Sequence, residues 1–200
     1  MENGTAVIPM DIGFNIAQDS TQKGVLIESA SDYKNPEDII RLFLSAITGI
    51  DKTLVRKRWL KKVGLQPPLS ADWIAVGVEG VTTWGTPYSD NQKIPDIQNR
   101  ISHQTLKFRA SFYGINSAEL SDKAREGLCM VQNNNQLKRY GLTVQSVDDE
   151  VLHLPDLQDE QWVDRYDLTF RIGRSVSREY GIRTIVDADD IEFFIEKGKI

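Results

Sequence analysis

Residues 154–172 constrain the fold more than any other stretch. They read Leu154-Pro155-Asp156-Leu157-Gln158-Asp159-Glu160-Gln161-Trp162-Val163-Asp164-Arg165-Tyr166-Asp167-Leu168-Thr169-Phe170-Arg171-Ile172, and the second half alternates. Trp162, Asp164, Tyr166, Leu168, Phe170 and Ile172 fall on one side; Val163, Arg165, Asp167, Thr169 and Arg171 fall on the other. That period of two is the mark of a strand with one face buried and one charged. Three aromatics on the first face require a layer to pack against. Asp164 breaks the pattern at the mouth of the strand, where a carboxylate still reaches solvent, a backbone N–H or a neighbouring arginine.

Earlier in the chain the signals alternate between helix and strand. Residues 1–34 carry Gly4, Pro9, Gly13 and Gly24 among short apolar clusters and read as an N-terminal arm ordered by contact with its own domain or a neighbouring subunit. Asn35-Pro36-Glu37-Asp38 predicts a helix start, with an Asn cap, a Pro at the first position and two acids at the positive end of the dipole. Ile39, Ile40, Phe43, Leu44 and Ile47 form its apolar stripe and Gly49 ends it. Leu54 to Leu60 reads as a strand with Val55 and Trp59 on one side and Arg56 and Arg58 on the other. Trp73 to Trp84 reads as a long strand burying Ile74, Val76 and Val78. Gly85 to Arg100, with two prolines, a glycine and many polar residues, reads as a loop that is long for a hairpin.

Leu106, Phe108, Ala110 and Phe112 alternate with Thr105, Lys107, Arg109 and Ser111, so the chain returns as an antiparallel strand. Asn116 with Glu119 resembles a capping box. Leu120, Ala124, Leu128 and Val131 then share one face of a second helix, weakened by Gly127 and left at Asn133-Asn134-Asn135. Leu142 to Val147 is a further strand before the opening stretch. The fold class is therefore α+β: a mainly antiparallel mixed sheet packed by two helices, in the order α-β-β-β-α-β-β. An arm (1–34) precedes the domain (35–174), and a C-terminal extension (175–200) follows it. In that extension Asp187, Asp189, Asp190, Glu192 and Glu196 accompany an alternation of Ile191, Phe193 and Ile195, which suits docking on a basic surface by strand addition.

Charge and motif content narrow the function. A net charge of -5 disfavours a protein whose main work is neutralising a phosphate backbone. The densest basic cluster, Lys52, Arg56, Lys57, Arg58, Lys61 and Lys62, reads first as a strand face paired with acids. The alternative is a small nucleic-acid-binding module in which Trp59 stacks. The single cysteine, Cys129, excludes an internal disulfide and reads as a small core residue. Trp73, Trp84 and Trp162 read as core or interface anchors. His103 and His153 lack spaced partners, and no phosphate loop, nucleophile elbow or zincin motif occurs. The acid-x-Lys triplet Asp32-Tyr33-Lys34 sits in a loop, away from any second acid on a sheet edge, which disfavours a metal-dependent nuclease. No catalytic, metal or cofactor-binding residue is assigned, no cofactor is expected, and no apolar run reaches the roughly 18 residues of a membrane helix.

The element order, Val55-Arg56-Lys57-Arg58-Trp59, the strand at 104–112, Tyr140-Gly141-Leu142, and Leu154-Pro155 followed by Trp162-Val163-Asp164-Arg165-Tyr166-Asp167 resemble tailed-bacteriophage neck or tail-terminator proteins. The resemblance covers about residues 36–175 and leaves the arm and the C-terminal extension outside. It implies a non-enzymatic virion protein, made in the host cytoplasm, that forms a hexameric ring capping the head-proximal end of the tail tube. Its partners would be further copies of itself, the tail tube protein, neck or connector proteins and a sheath protein, with DNA passing through the lumen without specific binding and no membrane. A stopper, adaptor or baseplate protein is the alternative within the same setting. Under this reading Arg165, Arg171 and Arg174 face Asp187, Asp189, Asp190 and Glu192 of a neighbour, and Trp84, Tyr88, Lys93 and Arg100 belong to the loop that meets the next ring.

Overall fold

The computed structural model describes residues 15–59, 66–68, 70–94, 96–158 and 160–182; the side chains of 90–94 lie outside that description. Two units divide the chain: one holds residues 32–88 and 101–177, the other 1–31, 89–100 and 178–200.

In the larger unit, helix α1 spans Pro36–Thr48, and its ends behave as its sequence demands. Asn35 Oδ1 accepts the Glu37 N–H at 3.0 Å, and Gly49 (φ 76) closes the helix by donating to Ser45 O at 2.9 Å. Ile40 and Leu44 are fully buried, with Ile39, Phe43 and Ile47 packed at the margin. Strand β4 (Val55–Lys57) runs parallel to the start of β5 (Trp73–Ile94), pairing Val55, Arg56 and Lys57 with Ile74, Ala75 and Val76. Val55 faces the core, whereas Trp59, expected on the same side of one strand as Val55, lies beyond β4 and is exposed.

Strand β6 (Ile97–Tyr113) lies beside β5. Trp84 bonds to Thr105 while the later Ser89 bonds to the earlier Arg100, so the two strands run antiparallel. The expected loop at Gly85–Arg100 is thus the end of β5 and the start of β6, with Asp96 (φ 65) between them. Its Gly, Pro and polar residues mislead because backbone pairing between two strands does not depend on apolar alternation.

Helix α2 (Ser117–Cys129) and helix α3 (Val131–Lys138) follow, making three helices among the described residues where two were expected. Met130 (φ -71, ψ 125) separates them, which leaves Val131 exposed rather than on the apolar face of α2. The asparagine run lies inside α3, not at a helix exit: Asn133 Nδ2 donates to Gly127 O at 2.8 Å and Asn134 Oδ1 accepts the Val144 N–H at 3.0 Å. The capping box does not form either. The Asn116 N–H and Nδ2 both donate to Asp72, at 3.0 and 2.7 Å, so the acid that serves α2 comes from the approach to β5. Cys129 is exposed, at the last position of α2, instead of in the core.

Strand β7 (Leu142–Val147) pairs antiparallel with β11 (Arg165–Gly181), and Gln145 bulges where the partner of Arg171 is Ser146 but that of Ile172 is Val144. β8 (Leu152–His153) also pairs with β11, while β9 (Asp156–Gln158) and β10 (Gln161–Val163) form their own hairpin. That hairpin explains the largest departure from the opening alternation. Trp162 belongs to β10, the parity of β11 does not extend to it, and it stands 73% exposed opposite Leu157. From Leu168 onward the alternation holds: Leu168, Phe170 and Ile172 are fully buried, and Phe170 stacks on Phe108 with centroids 5.5 Å apart. All three helices contribute to this single core, through Ile40, Leu44, Leu120, Ala124, Leu128 and Leu137. The architecture is α+β, a mixed sheet packed by helices.

In the smaller unit β1 (Ile16–Ala17) and β2 (Val25–Leu26) pair in parallel, and β3 (Ala30–Ser31) pairs antiparallel with Glu179 and Arg178 of β11. Arg178 Nε meets Glu28 at 2.6 Å, and the Ile182 N–H donates to Asp96 O at 3.0 Å. The described part of the arm is therefore held by its own chain.

Candidate assembly interface

The charged side chains of β5, β6 and β11 in the larger unit form a connected ladder. Asp167, whose side chain is 1% exposed, accepts from Arg165 Nε at 2.9 Å and Nη2 at 2.8 Å and lies 3.6 Å from Arg109 Nη1. Glu79 joins Arg109 (Nη2 donor, 3.1 Å) to Lys107 (3.4 Å). Burial pushes the Asp167 carboxyl up. Hydrogen bonds from Arg165 and Ser111, with the charges of Arg165 and Arg58, outweigh it and hold the group below its ordinary value. The same bonds raise Arg165, so both partners stay ionised. Beside them Trp73 stacks on Tyr113 at 4.2 Å, and burial raises the Tyr113 phenol.

The three arginines assigned to a neighbour's acids have intrachain partners. Arg165 is held by Asp167, and Arg171 donates to Asp148 at 2.9 Å while remaining 43% exposed. Arg174, 9% exposed, donates to Gln104 Oε1 (2.9 Å) and Lys34 O (3.0 Å) and lies 4.4 Å from the Tyr33 ring. Asp187, Asp189, Asp190, Glu192 and Glu196 lie outside the described residues, as do Lys61 and Lys62 of the basic cluster. Of the remaining cluster, Lys57 pairs with Asp38 at 2.8 Å, Arg58 donates to Ser111 and lies 5.4 Å from the Trp59 ring, Arg56 is half-buried and Lys52 is exposed. The basic stretch is thus drawn partly into the fold rather than displayed as one patch.

The outer edge of β5 divides into two parts. Up to Val78 it is closed: the Arg58 N–H donates to Val76 O (2.8 Å), Glu37 Oε1 accepts the Val78 N–H (3.2 Å), and Trp59 Nε1 donates to Val78 O (3.3 Å). From Val81 to Tyr88 every residue is exposed, and among the described residues no strand pairs on that side. Trp84, 65% exposed, is fixed by donating from Nε1 to Thr105 Oγ1 at 2.6 Å; Thr105 in turn donates to Gln145 Oε1 at 2.8 Å. Tyr88, 49% exposed, lies 5.6 Å from the His103 ring. Gly85, in the left-handed region (φ 61), and Pro87 interrupt this edge, a feature that limits uncontrolled strand pairing. In the smaller unit Arg100 Nη1 and Gln98 Nε2 both donate to Ser89 Oγ; the Lys93 side chain lies outside the described residues.

No cluster of acids, histidines and cysteine suited to a metal ion occurs among the described residues. His153 meets the exposed Asp164 at 3.0 Å and stacks on Tyr166, and His103 bonds to Ser175 at 2.8 Å.

Trp84 and Tyr88 thus stand exposed along a β5 edge that no described strand covers. The family described as phage neck terminator protein matches residues 37–198, and the chain belongs to that family. The match takes in the C-terminal extension, which the sequence resemblance had left outside. No curated protein is significantly similar to the chain. The chain is a structural component of the phage neck and hence of the virion, where it meets other neck or tail proteins.

Proposed function

We propose that copies of this chain close into a hexameric ring that caps the head-proximal end of the tail tube and joins it to the connector. The ring contacts the tail tube protein on one side, neck proteins on the other and a sheath protein where the tail contracts, and DNA passes through its lumen without specific binding. The observation that carries this reading is the open β5 edge from Val81 to Tyr88, with Trp84 locked to Thr105. A strand edge that no described strand covers, beside the exposed rings of Trp84 and Tyr88, supports docking by another protein, since main-chain bonds supply affinity and the rings supply anchors.

Light-scattering mass on a sizing column, with negative-stain images of the same peak and of the protein mixed with tail tubes, tests it. Rings at a multiple of the 22.7 kDa chain mass are expected. A chain that stays monomeric alone and on tube ends overturns the ring.

A further inference from the structure

Arg174 lies in the wall of a cavity of about 200 Å³ in the larger unit, between the start of α1 and the turn from α3 into β7. Lys34, Arg139 and Arg174 line it together with Asp32, and Ile39 and Leu142 supply apolar wall. Among the described residues the cations are not neutralised. Arg174 bonds only to neutral oxygens, those of Gln104 and Lys34, and neither Lys34 nor Arg139 forms an ion pair among the described residues. Asp32 spends Oδ1 on the Ser177 N–H at 2.7 Å. Three positive charges against one negative, beside apolar wall, call for a ligand that is both anionic and apolar.

Residues 187–196, Asp187-Ala188-Asp189-Asp190-Ile191-Glu192-Phe193-Phe194-Ile195-Glu196, have that chemistry: five acids, no base and four large apolar residues. Arg165 and Arg171 are poor seats for it because Asp167 and Asp148 already neutralise them. We propose that the cavity walled by Lys34, Arg139 and Arg174 receives the acidic 187–196 segment of a second copy of this chain. The proposal rests on the ring reading and deepens it. An acidic segment on one surface and a basic cavity on another form a heterologous contact, the kind that propagates around a ring.

The test uses the full chain carrying D187N, D189N, D190N and E192Q, which keeps the cavity and removes charge from the chain's own segment. A fluorescein-labelled synthetic peptide of residues 185–198 is titrated in and followed by anisotropy. Saturable binding is expected. K34E with R139E, two exposed positions, should weaken it about tenfold or more, and a scrambled peptide of the same composition should bind as weakly. No saturable binding, undiminished binding to the K34E/R139E chain, or equal binding of the scrambled peptide overturns the proposal. Mixing a chain that carries K34E/R139E and the native segment with one that carries the native cavity and the neutral segment leaves one complementary contact per pair. Light scattering should then report a dimer, and peptide binding without that dimer assigns the segment to its own chain and overturns the second-copy claim. The ring reading fails separately, when the unmodified protein forms no ring although the peptide binds.

Discussion

Arg165 holds Asp167, two residues along the same strand, through paired hydrogen bonds of 2.9 and 2.8 Å, and the carboxylate it holds is 1% exposed. Residues i and i+2 share a strand face, so the pair forms across one pleat without help from a turn. Removing one partner strands the other. Arg165→Met should cost about 2–4 kcal/mol in urea unfolding, because Asp167 then loses its paired hydrogen bonds and keeps Ser111, Arg109 at 3.6 Å and the charge of Arg58 for a buried carboxylate. A cost under about 1 kcal/mol would show that water or Arg109 replaces the pair.

The same carboxylate sets an acid limit. Asp167 titrates below 3.8 when folded and near 3.8 when unfolded. Its contribution is therefore complete above pH 3.8 and is lost as the pH falls through the folded value. The stability gap between the native chain and Asp167→Asn should be constant at neutral pH and shrink below about pH 4, read from urea midpoints across pH. A gap that widens on acidification refutes the assignment.

Gly127 is a packing residue. A Cβ there would collide with Ile47 Cγ2 of α1, so the glycine sets how closely α1 and α2 approach. Gly127→Ala gains about 1 kcal/mol of helix propensity and loses about 1–3 to overpacking, for a net destabilisation by thermal unfolding. Ile47→Ala in the same chain should recover part of that loss, and simple additivity of the two would count against the contact.

At α2 the helix start depends on Asp72. Asp72→Ala removes acceptors for both Asn116 donors and should destabilise by about 1 kcal/mol. Asn116→Ala should cost less, since its backbone N–H keeps the Asp72 bond. The reverse order, measured by urea unfolding, would restore Asn116 as the true cap.

Trp84 and Tyr88 separate assembly from folding. Both are more than a third exposed, so Trp84→Ala with Tyr88→Ala should shift stability by about 1 kcal/mol at most. Joining of heads to tails in a complementation assay should nevertheless fall sharply. Normal joining by the double variant would remove this edge from the interface.

Where local chemistry carries its own signal, the sequence was enough. The Asn35 cap, the Gly49 stop, the stripe of α1 and the alternations of Leu106–Phe112 and Leu168–Ile172 all appear in the structure as read, because helix caps and one-sided burial leave periodic marks on the chain. The resemblance, carried by the element order, residues 55–59, the strand at 104–112, residues 140–142 and residues 154–167, agrees with the family match. Tertiary structure decided the rest, through partners distant in sequence. Asp72 displaced the capping box, Gly127 O and the Val144 N–H turned an asparagine run into part of a helix, and the break at Asp164 placed Trp162 on a separate hairpin. The Gly85–Arg100 segment became strand because the end of β5 and the start of β6 found each other's backbones, a pairing that their polar residues do not announce. Arg165 and Arg171, read as facing a neighbour, found Asp167 and Asp148 in their own chain for a similar reason: charge composition records which ions are present, and only the folded chain brings particular ones within a few ångströms of each other.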